Sequence, residues 1–225
     1  MKKKLTIKSL IEKANEFCTQ ETNFQNMDLF GITDGKAVGT YIEHKFQDFL
    51  ASEFEYEVGS SAKGIDLPSA DIYTDIKVTS IKQPQSSCPF RDAKQKIFGL
   101  GYNLLVFVYD KIDNPETKTA NLNFVSCTFV EKERTGDYTI TYRLREMVND
   151  KANLEDIISY LSDRNIPADE IALQNLAEQI LNNPPKQGYL TISNALQWRL
   201  QYGRIVNLTE SVSGITRIID KVNSK

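Results

Sequence analysis

The chain has 225 residues, a quarter of them charged, and a formal net charge of −3. That length buries one substantial core with room for an appended subdomain. No apolar run is long enough to cross a bilayer, none of signal-peptide type follows Met1-Lys2-Lys3-Lys4, and the widely spaced Cys18, Cys88 and Cys127 lack the spacing of a metal site or disulfide framework.

Taken in chain order, apolar residues at Leu5, Ile7, Leu10, Ile11, Ala14 and Phe17 predict a first amphipathic helix, and Val38 to Phe49 predicts a second. Phe54 to Val58 alternates as a strand, and Gly59-Ser60-Ser61 makes a loop. The β-branched and aromatic residues from Ile72 to Thr79 predict a strand entered through a bend at Pro68. A helix follows over Arg91 to Leu100, then strands over Asn103 to Tyr109, Leu122 to Val130 and Tyr138 to Leu144. After Asn149 the pattern is helical around Leu154 to Leu161, Ala168 to Leu181 and Ser193 to Tyr202, punctuated by Pro167 and Pro184-Pro185. Two regions are therefore expected: a mixed α/β (α+β) core over 1–149, with a central sheet flanked by helices, and a helical subdomain over 150–225.

The chemistry concentrates around Asp66 and Asp75-Ile76-Lys77. Alternate residues of a strand share a face, so Asp75 and Lys77 point together while Ile76 and Val78 point the other way. An antiparallel turn at Pro68 would fold Asp66 back beside Asp75, a register that sequence leaves open. Carboxylates brought that close repel unless a cation lies between them, and oxygen ligands without Cys or His favour Mg²⁺ or Mn²⁺ over zinc. Asp71 shares strand parity with Asp75 and competes as a ligand, although its position suits a turn. On its own, an Asp-x-Lys pair also fits a solvated strand face with a weak ion pair. Its company is what distinguishes it: Glu43 on the upstream helix, apolar strand flanks, and a basic, amide-rich segment downstream.

Other chemistries find little support. His44 is the only histidine, so any nucleophile-histidine system has to be built around it. Gly99-Leu100-Gly101 lacks the third glycine of a dinucleotide loop, and no Gly-Lys-Ser/Thr phosphate loop occurs.

The segment from about Gly39 to Asp110 resembles the PD-(D/E)XK nuclease superfamily, and within it the type II restriction endonucleases. Asp66 matches the first motif aspartate, Asp75 the second acidic residue and Lys77 the lysine. Glu43 looks like the additional acidic residue of the preceding helix, and Ile65 stands where the motif has proline. The resemblance implies a restriction-endonuclease-like fold and a Mg²⁺-dependent enzyme, with Mn²⁺ as a substitute, that cuts double-stranded DNA at a short specific site. It further implies metal ligation by Asp66, Asp75 and the main-chain carbonyl of Ile76, with Glu43 on a second ion or its water, and Lys77 orienting the attacking water. It also implies a homodimer in a prokaryotic cytoplasm. A repair or structure-specific nuclease and a non-catalytic DNA-binding domain stay open as alternatives.

Two segments carry donors suited to DNA. Lys82, Gln83, Gln85, Ser86, Ser87 and Arg91 leave the end of the motif strand, with Lys94 and Lys96 on the next expected helix adding phosphate contacts. On the expected helix Ser193 to Tyr202, Asn194, Gln197 and Gln201 form one stripe that Arg204 continues, as a major-groove reader would.

Overall fold

The computed structural model describes residues 2–59, 64–88, 92–193 and 198–223. The chain divides into two compact units, one of residues 1–86, 102–130 and 206–225, the other of 87–101 and 131–205. These groupings cut across position 149, because the chain leaves the first unit after Val130 and returns to it at Val206.

The first unit opens with a short strand β1 (Lys3–Lys4) and helix α1 (Ile7–Thr22). Thr6 starts that helix through a capping box, its side chain accepting from the Ser9 amide while the Ser9 side chain accepts from the Thr6 amide. Strand β2 (Gln25–Asn26) and helix α2 (Gly35–Glu53) follow, the helix begun by Asp34, whose carboxylate accepts from the Lys36 amide. Strands β3 (Phe54–Glu55) and β4 (Thr74–Ser80) come next, then β5 (Gln85–Cys88), whose last two residues belong to the second unit. The expected strand Phe54 to Val58 thus contracts to two residues, paired in parallel with β1.

After the short helix α3 (Gln95–Phe98), the long strands β6 (Asn103–Asn114) and β7 (Thr119–Val130) form an antiparallel pair. The main sheet runs β10-β7-β6-β4, with β10 (Ile215–Asp220) on one edge and β2 attached to β7. Because β4 pairs in parallel with β6 while the other neighbours are antiparallel, the sheet is mixed, as expected. Its core forms where α1 and α2 meet the apolar residues of β4, β6 and β7. An aromatic cluster lies at the centre: the ring of Phe46 is 5.1 Å from that of Phe17 and 5.0 Å from that of Phe107, which is 5.8 Å from Phe124.

The second unit contains α3, a 3₁₀ turn at Lys132–Arg134, and helices α4 (Tyr138–Asn149), α5 (Leu154–Asp163) and α6 (Glu170–Asn182). Strands β8 (Thr191–Ile192) and β9 (Trp198–Gln201) and the start of α7 (Gly203–Val206) complete it. Ile97, Ile140, Leu144, Ile157, Leu161, Leu173, Leu176 and Ile180 form its core.

Three expected elements are corrected here. The strand predicted over Tyr138 to Leu144 is helix α4: its Thr, Ile and Tyr residues favour strands, but the Asp137 carboxylate caps the Ile140 amide, and Ile140 and Leu144 reach the core at helical spacing. The helix expected over Arg91 to Leu100 is, among the described residues, only the single turn Gln95–Phe98, ended by Gly99 at a φ of +91°. The region after Asn149 is not all helical, since it contributes β8, β9 and β10. Among the described residues no helix is long and apolar enough to cross a membrane.

The aromatic cluster yields a direct test. Phe46 is fully buried and packs on two other rings, so Phe46→Ala should cost about 3–5 kcal/mol of unfolding free energy, read as a lower urea midpoint. A loss under about 1 kcal/mol would mean that this cluster is not what joins α2 to the sheet.

Candidate active site

The site is assembled at the edge of the main sheet, along β4. Leu67 and Thr74 exchange both main-chain hydrogen bonds, each 3.0 Å, in an isolated antiparallel bridge. In that register Asp66 comes opposite Asp75, which closes the turn left open by the sequence. The Asp66 carboxylate then accepts from the Ile76 amide at 2.7 Å. Because a residue's N–H and C=O leave a strand on the same side, the Ile76 carbonyl is turned toward that same edge.

Asp75 and Lys77 lie on one face of β4, as strand parity requires, and their side chains pair at 2.7 Å. Asp75 is almost wholly buried, whereas the Lys77 side chain keeps 22% of its surface exposed. Behind them, Ile76 belongs to the apolar core. Glu43 arrives from α2. Gly39 of that helix faces Val78 of β4, where an added Cβ would stand 3.5 Å from the Val78 carbonyl oxygen, an ordinary contact, and Glu43 is one turn further along the same side. Its carboxyl group hydrogen-bonds with Asp66 and feels the charge of Lys77.

This crowding of acids leaves a clear electrostatic signature. The Asp75 carboxyl is pushed up to about 7, chiefly by burial; Lys77 opposes the rise, while the hydrogen bond and charge of Asp66 add to it. Glu43 is likewise pushed up to about 7, first by burial and then by the Asp66 charge, with Lys77 again opposing. Glu43 and Asp75 therefore share one ammonium, and near neutral pH they hold protons that ordinary surface acids have released.

Glu43, Asp66, Asp75 and Lys77 converge, with the Ile76 main chain beside them. Asp71 does not join them, because it stands in an exposed turn and pairs with Lys4. His44 is exposed on α2 and all three cysteines are buried, so no Cys–His pair is formed.

Of the expected DNA contacts, Lys82 and Gln83 are exposed at the turn after β4, Gln85 and Ser86 are partly exposed on β5, and Ser87 and Lys94 are exposed. Arg91, Asn194 and Gln197 lie outside the described residues. Lys96 is corrected: it is 1% exposed in the second unit, where burial lowers its ammonium pKa against the opposing charge of Asp137.

The helical stripe is corrected as well. Gln201 is on strand β9, opposite Thr191 of β8, and from Arg199 to Tyr202 exposed and buried residues alternate with the period of a strand. Arg204 belongs to α7, its guanidinium 3.8 Å over the ring of Tyr138. A groove-reading helix made of Asn194, Gln197, Gln201 and Arg204 is therefore withdrawn.

Comparison with known proteins identifies the family. The family model described as type II restriction enzyme NspV matches residues 4–217. The chain belongs to the NspV family of type II restriction enzymes. The type II restriction enzyme NspV of Nostoc sp. (strain ATCC 29411 / PCC 7524) is 52% identical over 214 residues, spanning 95% of this chain and 96% of that relative. No solved structure matches. As a member of the NspV family the protein is a site-specific deoxyribonuclease, a hydrolase of a restriction system that binds double-stranded DNA.

The raised acids make stability depend on pH in a defined direction. A carboxyl whose pKa is higher in the folded state binds more protons folded than unfolded, so its stabilising contribution is full below the unfolded value and is lost as pH rises through the folded one. For the metal-free protein, the melting temperature should fall between the ordinary carboxylate range and about pH 7 because of Glu43 and Asp75. Asp75→Asn should flatten that decline in thermal melts, and an identical pH slope in the variant would contradict the assignment.

Proposed function

We propose that the protein is a Mg²⁺-dependent type II endonuclease whose catalytic residues are Asp66, Asp75 and Lys77, assisted by Glu43. The observation that carries this reading is the clustering of Glu43, Asp66 and Asp75 at the edge of β4, with the Lys77 ammonium acting on Glu43 and Asp75.

The donor set fits a hard divalent cation. Asp66, Asp75 and the Ile76 carbonyl offer oxygen only, and a cation would offset both the burial that chiefly raises Asp75 and Glu43 and the Asp66 charge that adds to it. Among the described residues no three His, Cys, Asp or Glu side chains form a ready-made cage. Mg²⁺ does not need one, since it keeps several waters and is commonly held by one or two carboxylates together with substrate phosphate. Mn²⁺ suits the same oxygen ligands. When bound, the ion supplies Lewis-acid polarisation of the scissile phosphate and a supply of hydroxide near neutral pH.

The chain's own groups do the rest. The Lys77 ammonium, held by Asp75, orients the attacking water and meets the negative charge that grows on the phosphate oxygens, an attraction stronger in the transition state than in the ground state. Asp66 is fixed by the Ile76 amide, so its carboxylate is preorganised and does not swing into place during reaction. Glu43, with a pKa near neutrality, accepts a proton from the water or takes a second cation. The turn and strand after β4, from Lys82 to Ser87, supply donors to phosphate and base edges. Two copies act together, because a two-fold DNA site presents two equivalent phosphodiesters and matched symmetry delivers one active centre to each strand.

Incubation with plasmid and Mg²⁺ is expected to give a defined fragment ladder that EDTA abolishes. Lys77→Ala should lower the cleavage rate by a factor on the order of 10² or more while DNA affinity, measured with Ca²⁺ in place of Mg²⁺, stays near wild type. A Lys77→Ala protein that still cuts at the wild-type rate would refute the assignment.

A further inference from the structure

Strand β4 carries a third polar side chain on the face of Asp75 and Lys77. Thr79, two residues beyond Lys77, is 6% exposed, and its hydroxyl finds its partners within the protein. It is satisfied entirely by the turn that follows. Thr79 Oγ1 lies 3.2 Å from the Gln83 carbonyl oxygen and 3.1 Å from that of Gln85, to either of which it donates, and it accepts from the Gln85 amide at 3.1 Å.

The same turn is tied at its entrance. The Ile81 amide donates to the Tyr109 carbonyl of β6 at 2.8 Å, the Gln83 amide to the Ser80 carbonyl at 3.2 Å and the Lys82 amide to the Ser80 hydroxyl at 3.3 Å. Lys82 and Gln83 are left exposed at its apex. With a rise of about 3.3 Å per residue, the pin at Thr79 is only about 7 Å along the strand from Lys77. A cation donor and an amide, the groups that grip phosphate and read bases, thus project from a rigid turn bolted to the strand that carries the acids.

We propose that Thr79 is a positioning residue. Its hydroxyl holds the Lys82–Gln83 turn in register with Asp75 and Lys77, so that DNA gripped by the turn presents its scissile phosphate to them. This inference rests on the reading of Asp75 and Lys77 as catalytic. It adds that the grip of the turn on DNA depends on one buried hydroxyl, while the chemical step stays with Asp75 and Lys77.

Two near-isosteric variants of the full chain test it, using a duplex that contains a site cut by the wild-type enzyme. Thr79→Val keeps the shape and strand preference but removes the hydroxyl, whereas Thr79→Ser keeps the hydroxyl. Thr79→Val should bind the duplex, in Ca²⁺, about tenfold more weakly and raise KM by the same factor, with the single-turnover rate at saturating enzyme within about threefold of wild type. Thr79→Ser should stay within about twofold of wild type in both. Lys77→Ala gives the opposite pattern, with rate lost and affinity kept.

Wild-type affinity and KM in Thr79→Val would overturn the proposal, and so would a Thr79→Ser protein as impaired as Thr79→Val. If Thr79→Val fails to fold, as read by circular dichroism, the exposed double variant Lys82→Ala/Gln83→Ala carries the test. It should lose about tenfold in affinity and lower the salt dependence of binding by about one counterion. Unchanged binding there also overturns the proposal. Cleavage by Lys77→Ala would sink the underlying assignment of the site, whereas the affinity of the Thr79 variants reports on the turn alone.

Discussion

Asp66 and Asp75 would not meet without the two reciprocal hydrogen bonds between Leu67 and Thr74. A slip of one residue in that pairing would turn Asp66 to the opposite face and leave Asp75 with Lys77 alone. Leu67 is fully buried and Thr74 likewise, so the register is enforced by packing as well as by hydrogen bonding. The Ile76 amide then takes the Asp66 carboxylate as its partner, and the side chain is held at both ends.

The arrangement sets carboxylates against one another in a largely dehydrated setting. Burial and mutual repulsion both favour the protonated form, and only Lys77 pulls the other way. Such a cluster costs stability in the isolated protein. The expense is tolerable because the surrounding sheet and the Phe17, Phe46, Phe107 and Phe124 rings overdetermine the backbone beneath it. Strain concentrated at a site and offset by a well-packed core is how a fold keeps reactive groups close without letting them separate.

The site was more legible in the sequence than its surroundings. Asp75 and Lys77 share a face by the two-residue period of any strand, and the apolar run after Asn103 could only be a buried strand. The Asp66 register was not legible, since it depends on Leu67 and Thr74 finding each other across a turn. Glu43 is legible only through resemblance, since its approach depends on how helix α2 packs against β4. In the second unit local preference misled: the Thr, Ile and Tyr residues of α4 favour strands, yet the Asp137 cap and the spacing of Ile140 and Leu144 prevail. In β9 the apparent amide stripe gave way to the two-residue alternation of Arg199, Leu200, Gln201 and Tyr202, a signal too short to outweigh a helical reading.

The discontinuity of the first unit bears on how the molecule is made. Strand β10 joins β7 across residues 131–205 of the second unit, which lie between them in the chain. A ribosome therefore releases the motif strand β4 long before it releases β10, the strand that completes the sheet. Pairings so far apart in sequence are slow to form because of the loop entropy they must overcome. A copy synthesised only as far as β9 thus has one edge of the main sheet missing, and that sheet closes only once β10 has followed.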